Sequence, residues 1–133
     1  MKFMGYRRPD GSVGVRNHLL VISSGACSNL VARKISNSIP NSIAIIHDFG
    51  CTQIGCDREQ TARVLTGVGA NPNAAASLVV GLGCETIPAG EIASGIATIE
   101  IVVREVHYLD AAVLPLGGHA TLVQLDNGEL QRC

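Results

Sequence analysis

Three cysteines of this 133-residue chain each follow an apolar run that ends in glycine or another small residue. They are Cys27, Cys51 and Cys84, which come after residues 18–24, 42–47 and 76–81. Thiolates are soft ligands that select iron–sulfur clusters, zinc or copper(I). Three such ligands leave one metal position open, where the metal can act as a Lewis acid on a leaving hydroxyl. The spacing predicts a shared metal site.

Each cysteine also has a plainer interpretation. A lone free cysteine after a strand is more often a small buried hydrophobe than a ligand, and only the threefold repetition favours a site. Cys56 follows Cys51 closely and is either an alternative ligand, a thiol at a helix start, or half of a redox pair with Cys51. No CxxC spacing supports a zinc ribbon or a thioredoxin motif.

Two residues near these cysteines have side chains that can move a proton. His47 ends the second apolar run and is either a general base, a ligand or a buried structural histidine. Glu85 directly follows Cys84 and is either a base or a carboxylate that a helix N-terminus stabilises. We expect one of the two to serve as the catalytic base.

The apolar runs predict strands that hold these residues. Residues 18–24, 42–47, 76–81 and 99–103 are nearly continuous apolar stretches, as in parallel strands covered on both faces. Helical segments separate them, and Asp57 with Gln60 has the spacing of a capping box. We predict an α/β fold with an open, mainly parallel Rossmann-like sheet of about four or five strands and helices on both faces.

This topology predicts where the candidate residues lie. Loops that follow parallel strands meet at the carboxyl edge of the sheet, where open α/β folds bind ligands. The three cysteines therefore belong to that edge. Arg16 and Asn17 precede the first strand and belong to the opposite edge, where they either anchor the arm or reach a neighbouring subunit. We divide the chain into an arm (1–17), an α/β domain (18–104) and a C-terminal segment (105–133) with a further strand or hairpin.

The composition excludes several classes of function. Hydrophobic residues make up 47% and charged residues 16%, with a net charge of −1, so nucleic acid is not an expected partner. No apolar run reaches the length of a membrane span, and no secretion signal begins the chain. With five cysteines, an odd number, we expect a cytoplasmic protein with reduced thiols and no membrane partner.

Several motifs follow one another between about residues 5 and 100. In order they are GYRRPDGSVGVRN from Gly5, SSGAC from Ser23, HDFGC from His47, DREQT from Asp57, NPN from Asn71 and VVGLGCE from Val79. Together these motifs resemble the altronate/galactarate dehydratase family, which includes the large subunit of sulfolactate sulfo-lyase. We therefore expect the chain to contain the central α/β domain of this family.

The resemblance implies a function and a set of site residues. Family members are lyases that remove water or sulfite from a hydroxylated acid, and the dehydratases depend on iron. We expect iron, as Fe²⁺ or an iron–sulfur cluster, on the three cysteines. Within the matching motifs we expect His47 and Glu85 in catalysis, and a further set in substrate binding: Arg16, Asn17, Ser24, Gly50 and Gly83.

The sequence also departs from the family pattern. Family enzymes continue with a further large domain, and many have a small β-rich domain or subunit as well. We therefore expect a domain or subunit of a sugar-acid dehydratase or related hydroxy-acid lyase, incomplete alone, with a homo-oligomeric or separate partner chain. The alternative is a non-catalytic relative that acts as a binding or assembly domain.

Overall fold

The chain forms an α/β fold built on a parallel sheet. The structure is a computed structural model, and it describes residues 4–96, 102–103, 123–126 and 129–132. The strands are β1 (Tyr6–Arg7), β2 (Val13–Gly14), β3 (His18–Ser23), β4 (Ser42–Ile45), β5 (Ala74–Val80), β6 (Val102–Val103), β7 (Val123–Asp126) and β8 (Glu129–Arg132). The helices are α1 (Asn29–Ser38), α2 (Gly55–Gly69) and α3 (Ala89–Gly95).

The parallel strands lie in the order β4-β3-β5-β6. β3 is central, and it pairs in parallel with β4 from Leu19 opposite Ser42, and with β5 as far as Ser23 opposite Val80. The chain leaves β3 toward β4 and then crosses back past β3 to β5. The crossing reverses the strand order beside the carboxyl end of β3, which is where open α/β sheets leave a crevice for ligands.

Helices cover both faces of the sheet. On one face, α1 contributes Ala32 and Ile35 to a core with Val21, while on the other α2 and α3 contribute Leu65 and Ile92. Because β3 is covered on both sides, adjacent residues of the strand are fully buried on opposite faces, and no alternation of apolar and polar residues is needed. The prediction of an α/β fold with a parallel sheet is confirmed. The likeness to the Rossmann fold stays a prediction.

The predicted start of α2 is wrong. The helix begins at Gly55 with Ile54 as its N-cap and no side-chain cap, so Asp57 does not cap it. Asp57 lies in the first turn instead, where its carboxylate faces the positive end of the helix dipole. The Asp57–Gln60 spacing was therefore not a capping box.

The arm folds back on the amino edge of the sheet. β1 and β2 form an antiparallel pair, and the Asn73 side-chain oxygen just before β5 accepts hydrogen bonds from the backbone N–H groups of Val15 and Arg16, at 2.9 and 3.0 Å. The Arg8 guanidinium donates to the Asn17 side-chain oxygen at 2.8 Å and to the Pro72 carbonyl at 2.7 Å. The arm is thus fastened to the turns that precede the strands.

The C-terminal segment contains the predicted hairpin, in which β7 pairs antiparallel with β8. β6 corresponds to the predicted fourth strand, of which residues 99–101 lie outside the described residues, as does Cys133. Among the described helices, none has both the length and the apolar character that crossing a membrane requires.

Candidate functional site

The loops after β3 and β4 are in close backbone contact at the carboxyl edge of the sheet. The Ala26 N–H donates to the Phe49 carbonyl at 2.8 Å. Gly50 has a φ of +89°, and a Cβ built there would lie 2.4 Å from the Ser24 carbonyl oxygen. Gly25 is tightly packed without such a clash, since its Cβ would lie 3.1 Å from the Glu85 Cβ and 3.2 Å from the Cys51 sulfur. Glycine at position 50 thus allows these loops to bring Cys27 and Cys51 together.

The Cys27 and Cys51 sulfurs lie 3.1 Å apart. The two thiols titrate unequally. Hydrogen bonding to Cys51, then to Cys84, raises the pKa of Cys27 to about 11. The hydrogen bond from Cys27 lowers the pKa of Cys51 below its ordinary value. Cys51 therefore ionises before Cys27, and once it has done so the Cys27 S–H is the donor of the pair.

The third loop brings Cys84 to the same place. Cys84 is near enough to influence the pKa of Cys27, and both are exposed free thiols. The three loops that carry the cysteines therefore meet at this edge, while the one close sulfur contact among the described hydrogen bonds is that of Cys27 with Cys51. Within residues 4–96 and the described strands beyond them, no group of three or more His, Cys, Asp or Glu side chains is arranged so that it could hold a metal ion. The metal itself stays a prediction.

Glu85 lies beside these thiols. Its Oε2 accepts a hydrogen bond from the Leu82 N–H at 3.1 Å. Its Oε1 lies so close to Gly81 that a Cβ there would be 2.1 Å away, and its negative charge is a minor influence raising the pKa of Cys51. The carboxylate thus folds over its own loop and faces the Cys51 side of the site.

His47 has both ring nitrogens bound to the backbone. Nε2 is 2.8 Å from the Ser23 carbonyl oxygen, and Nδ1 accepts from the Phe49 N–H at 3.2 Å. The carbonyl requires a proton on Nε2, so the neutral tautomer satisfies both contacts. In this arrangement His47 fastens the end of β4 to β3 and offers no free nitrogen to a substrate.

The structure separates the predicted substrate-binding residues. Gly83 lies in the exposed Cys84 loop with a φ of +84° and open space around it. Gly50 is buried between loops, and buried Ser24 donates from Oγ to the Val80 carbonyl at 3.1 Å, so both serve packing. Arg16 and Asn17 lie at the amino edge with the arm. The edge predicted for Arg16 and Asn17 is therefore correct. The two residues cannot share a cleft with the cysteines of the same chain.

Cys56 is the second residue of α2 and is exposed. The close sulfur pair is Cys27 with Cys51, and Cys51 has no such contact with Cys56 among the hydrogen bonds of the described residues. A redox pair of Cys51 with Cys56 therefore has no support from this geometry.

Sequence reasoning missed residues that assemble the site. Asn29 donates from Nδ2 to the His47 carbonyl at 2.7 Å and accepts from the Ser23 hydroxyl at 2.6 Å. Thr86 hydrogen-bonds to Gly50, and Arg58 hydrogen-bonds to Thr86. Arg58 lies in the DREQT motif and Thr86 directly follows the VVGLGCE motif, but nothing in the spacing of these residues indicated the contacts.

A comparison with protein-family profiles shows to which family the chain belongs. The family profile described as D-galactarate dehydratase/Altronate hydrolase, second domain, matches residues 5–117. The chain belongs to this family. The match confirms the family resemblance of the motifs, and it extends past residue 104, where the sequence-based boundary of the α/β domain was drawn.

Curated relatives in the family are much longer than this chain. It is 42% identical over 80 residues to the (2R)-sulfolactate sulfo-lyase subunit beta of Chromohalobacter salexigens, covering 60% of the chain and 21% of the relative. It is 37% identical over 93 residues to the altronate dehydratase of Bacillus subtilis, and 39% over 90 residues to that of Escherichia coli, covering 62% and 60% of the chain. The chain spans 19% and 18% of these two enzymes, or about a fifth. No solved structure matches.

Proposed function

We propose that this chain is the metal-binding α/β domain of a hydro-lyase that dehydrates a sugar acid of the altronate or galactarate type, or of a related hydroxy-acid lyase. The observation that carries the proposal is the contact of the Cys27 and Cys51 sulfurs, 3.1 Å apart, at the carboxyl edge to which the Cys84 loop is also joined. Family membership and the names of the relatives support the reaction class.

The thiols suit a metal ion in kind, and Cys27 and Cys51 lie near enough to share one after a small movement. Thiolates bind a tetrahedral ion at about 2.3 Å, which places two sulfurs about 3.8 Å apart. Cys27 and Cys51 would have to separate by about 0.7 Å to meet that geometry, a small rotation for an exposed side chain such as Cys27. Iron held by Cys27, Cys51 and Cys84 would keep a position open and supply Lewis-acid polarisation of the leaving hydroxyl.

Cys51 is prepared for such a role before a metal arrives. Metal binding requires a deprotonated thiol, and the hydrogen bond from Cys27 already lowers the pKa of Cys51. Cys27, with its pKa near 11, would release its proton only when a cation displaces it. Cation binding by the pair should therefore strengthen as pH rises, because a larger fraction of the thiols is deprotonated.

Glu85 is the better candidate for the base. It is adjacent to a proposed ligand, and one hydrogen bond from Leu82 holds its carboxylate without using all its acceptor capacity. In dehydration of a hydroxy acid, this carboxylate would take the α-proton of the substrate. His47 would need to break its contact with Ser23 or Phe49 first, so we assign it to positioning the β4 loop.

Further polypeptide would complete the site. Cys27 and Cys84 are exposed, and Phe49 and Ile54, which flank Cys51 in sequence, are 57% and 82% exposed. An active site for dehydration needs exclusion of water, and the chain spans about a fifth of its relatives' length. We propose that another domain or subunit, or a second copy of the chain, covers this edge in the cytoplasm.

Anaerobic reconstitution tests the metal part of the proposal. Wild-type chain is incubated with iron, with and without sulfide, and bound iron is measured with absorption and EPR spectra. We expect uptake by wild type and loss of it in a Cys27→Ser/Cys51→Ser/Cys84→Ser variant, while Cys56→Ser retains it. Equal uptake by the wild-type and triple-variant proteins would refute the three-thiol site.

The second candidate is a non-catalytic binding or assembly domain, and the engagement of both ring nitrogens of His47 by the backbone favours it. A stable homodimer that binds a sugar acid but dehydrates none, even after metal loading and addition of a complementing family subunit, would establish this alternative. Dehydration in the complemented assembly that depends on Glu85 would exclude it.

A further inference from the structure

Thr86 fastens the Cys84 loop to the Cys51 loop. Its backbone N–H donates to the Gly50 carbonyl at 2.8 Å, and its hydroxyl donates to the same oxygen at 3.0 Å. Gly50 directly precedes Cys51, and Thr86 lies two residues after Cys84. One carbonyl therefore fixes the separation of two loops that each carry a thiol of the site.

Arg58 holds Thr86 from the other side. Its Nε donates to the Thr86 carbonyl at 2.8 Å, and its guanidinium forms an ion pair with Glu91 near the start of α3. Arg58 lies near the N-terminus of α2, directly after the Cys51 loop. The side chain thus joins α2, α3 and the loop between β5 and α3.

We propose that Thr86 and Arg58 are positioning residues of the thiol site, setting where Cys84 and Glu85 lie relative to Cys27 and Cys51. Neither touches a sulfur; they act through the backbone of the Cys84 loop. That this placement of Cys84 and Glu85 serves metal binding rests on the function proposed above. The placement itself does not depend on that function.

Arg63 provides a contrast on the same helix. It is 70% exposed and its contact with Glu59 is 4.0 Å long, one helical turn away. Such surface pairs contribute little to stability. Arg58 instead reaches across to another loop through a partly buried contact. If Arg58 were only a surface ion pair, its removal would resemble the removal of Arg63.

Thiol bridging tests the position without any metal. A Cys51→Ser/Cys56→Ser/Cys133→Ser background leaves Cys27 and Cys84, which dibromobimane joins in a fluorescent adduct only when both react. Thr86→Val and Arg58→Met are introduced into this background, with Thr86→Ser as the conservative variant and Arg63→Met as the matched control. Mass spectrometry identifies the bridged peptides, and circular dichroism checks the fold.

We expect Thr86→Val and Arg58→Met to slow bridging about fivefold each, the shift that corresponds to losing one net hydrogen bond. Thr86→Ser and Arg63→Met should bridge at the background rate. Equal rates in all variants, or no bridge in the background itself, would overturn the proposal. Should Arg58→Met fail to fold, the nearly isosteric Thr86→Val decides the question.

Cobalt(II) binding to the otherwise wild-type chain separates this inference from the proposed function. If the chain binds cobalt with thiolate charge-transfer absorption, Thr86→Val should weaken that binding, and Arg63→Met should not. If wild type binds no cobalt or iron but the bridging differences persist, the metal proposal fails and the positioning role stands.

Discussion

Replacing Gly50 by alanine tests how the thiol pair is assembled. Gly50 has a φ of +89°, and an alanine Cβ would lie 2.4 Å from the Ser24 carbonyl oxygen and 2.9 Å from the Gly25 Cα. Cβ atoms essentially never come closer than 3.0 Å to such neighbours. The two loops would have to move apart by about 0.6 Å, in a region packed as densely as a protein interior.

The expected cost has two parts. A non-glycine residue in the left-handed region costs about 1–2 kcal/mol, and overpacking against backbone adds about 1–3 kcal/mol. We expect Gly50→Ala to lower the free energy of unfolding by about 2–5 kcal/mol. Gly11→Ala is the matched control, because Gly11 has a φ of +87° and open space for a Cβ. It should cost only the backbone part, about 1–2 kcal/mol.

Two assays report the outcome. Urea unfolding followed by circular dichroism gives the free energies of unfolding of wild type and both variants. Oxidation by glutathione disulfide, followed by mass spectrometry, reports whether Cys27 and Cys51 remain in contact. We expect Gly50→Ala to slow formation of their disulfide and Gly11→Ala to leave it unchanged. Equal stability losses in the two variants, with equal disulfide rates, would refute this account of how the loops meet.

Three further predictions follow from the same contacts. Glutathione disulfide should oxidise the apo chain to a Cys27–Cys51 disulfide, releasing two glutathione thiols, and Cys56→Ser should not prevent it; a Cys51–Cys56 disulfide would contradict the observed pairing. Iodoacetamide should alkylate Cys51 at lower pH than Cys27, because the pKa of Cys51 is lowered and that of Cys27 is raised to about 11. Cys27→Ala should raise the pH at which Cys51 is half-alkylated, and an unchanged pH profile of alkylation would contradict the hydrogen bond. Asn73→Ala should speed trypsin cleavage after Arg16 about fivefold, as one lost net hydrogen bond predicts, while Asn37→Ala on exposed α1 surface should not; equal cleavage would show that Asn73 does not fasten the arm.

The sequence was sufficient to predict the architecture because burial on both faces leaves a plain signal. Strands such as His18–Ser23 are unbroken apolar runs, and the loops after parallel strands must share one edge. The edge assignments of the cysteines, and of Arg16 and Asn17, followed from topology alone.

The finer errors have physical reasons. The helix start at Gly55 depends on how the preceding loop approaches the sheet, and a short-range capping pattern does not contain that information. Residue type made His47 a catalytic candidate and Ser24 a substrate-binding candidate, and it gave no sign that both side chains hydrogen-bond to neighbouring backbone groups. The joining role of Thr86 depends on a contact with Gly50, 36 residues away in sequence. Such long-range contacts are set by the fold and carry no local pattern.

The most direct measurement of the central claim is iron X-ray absorption of the anaerobically reconstituted chain. If Cys27, Cys51 and Cys84 hold the metal, the first shell should contain three protein sulfurs at about 2.3 Å, the usual metal–thiolate distance. Bridging sulfide, if a cluster forms, adds sulfur neighbours and a short iron–iron vector that identify it. Each single Cys→Ser variant at the three positions should replace one sulfur by a lighter atom, and Cys56→Ser should change nothing. A first shell of oxygen and nitrogen alone, identical in wild type and the three variants, would contradict the account.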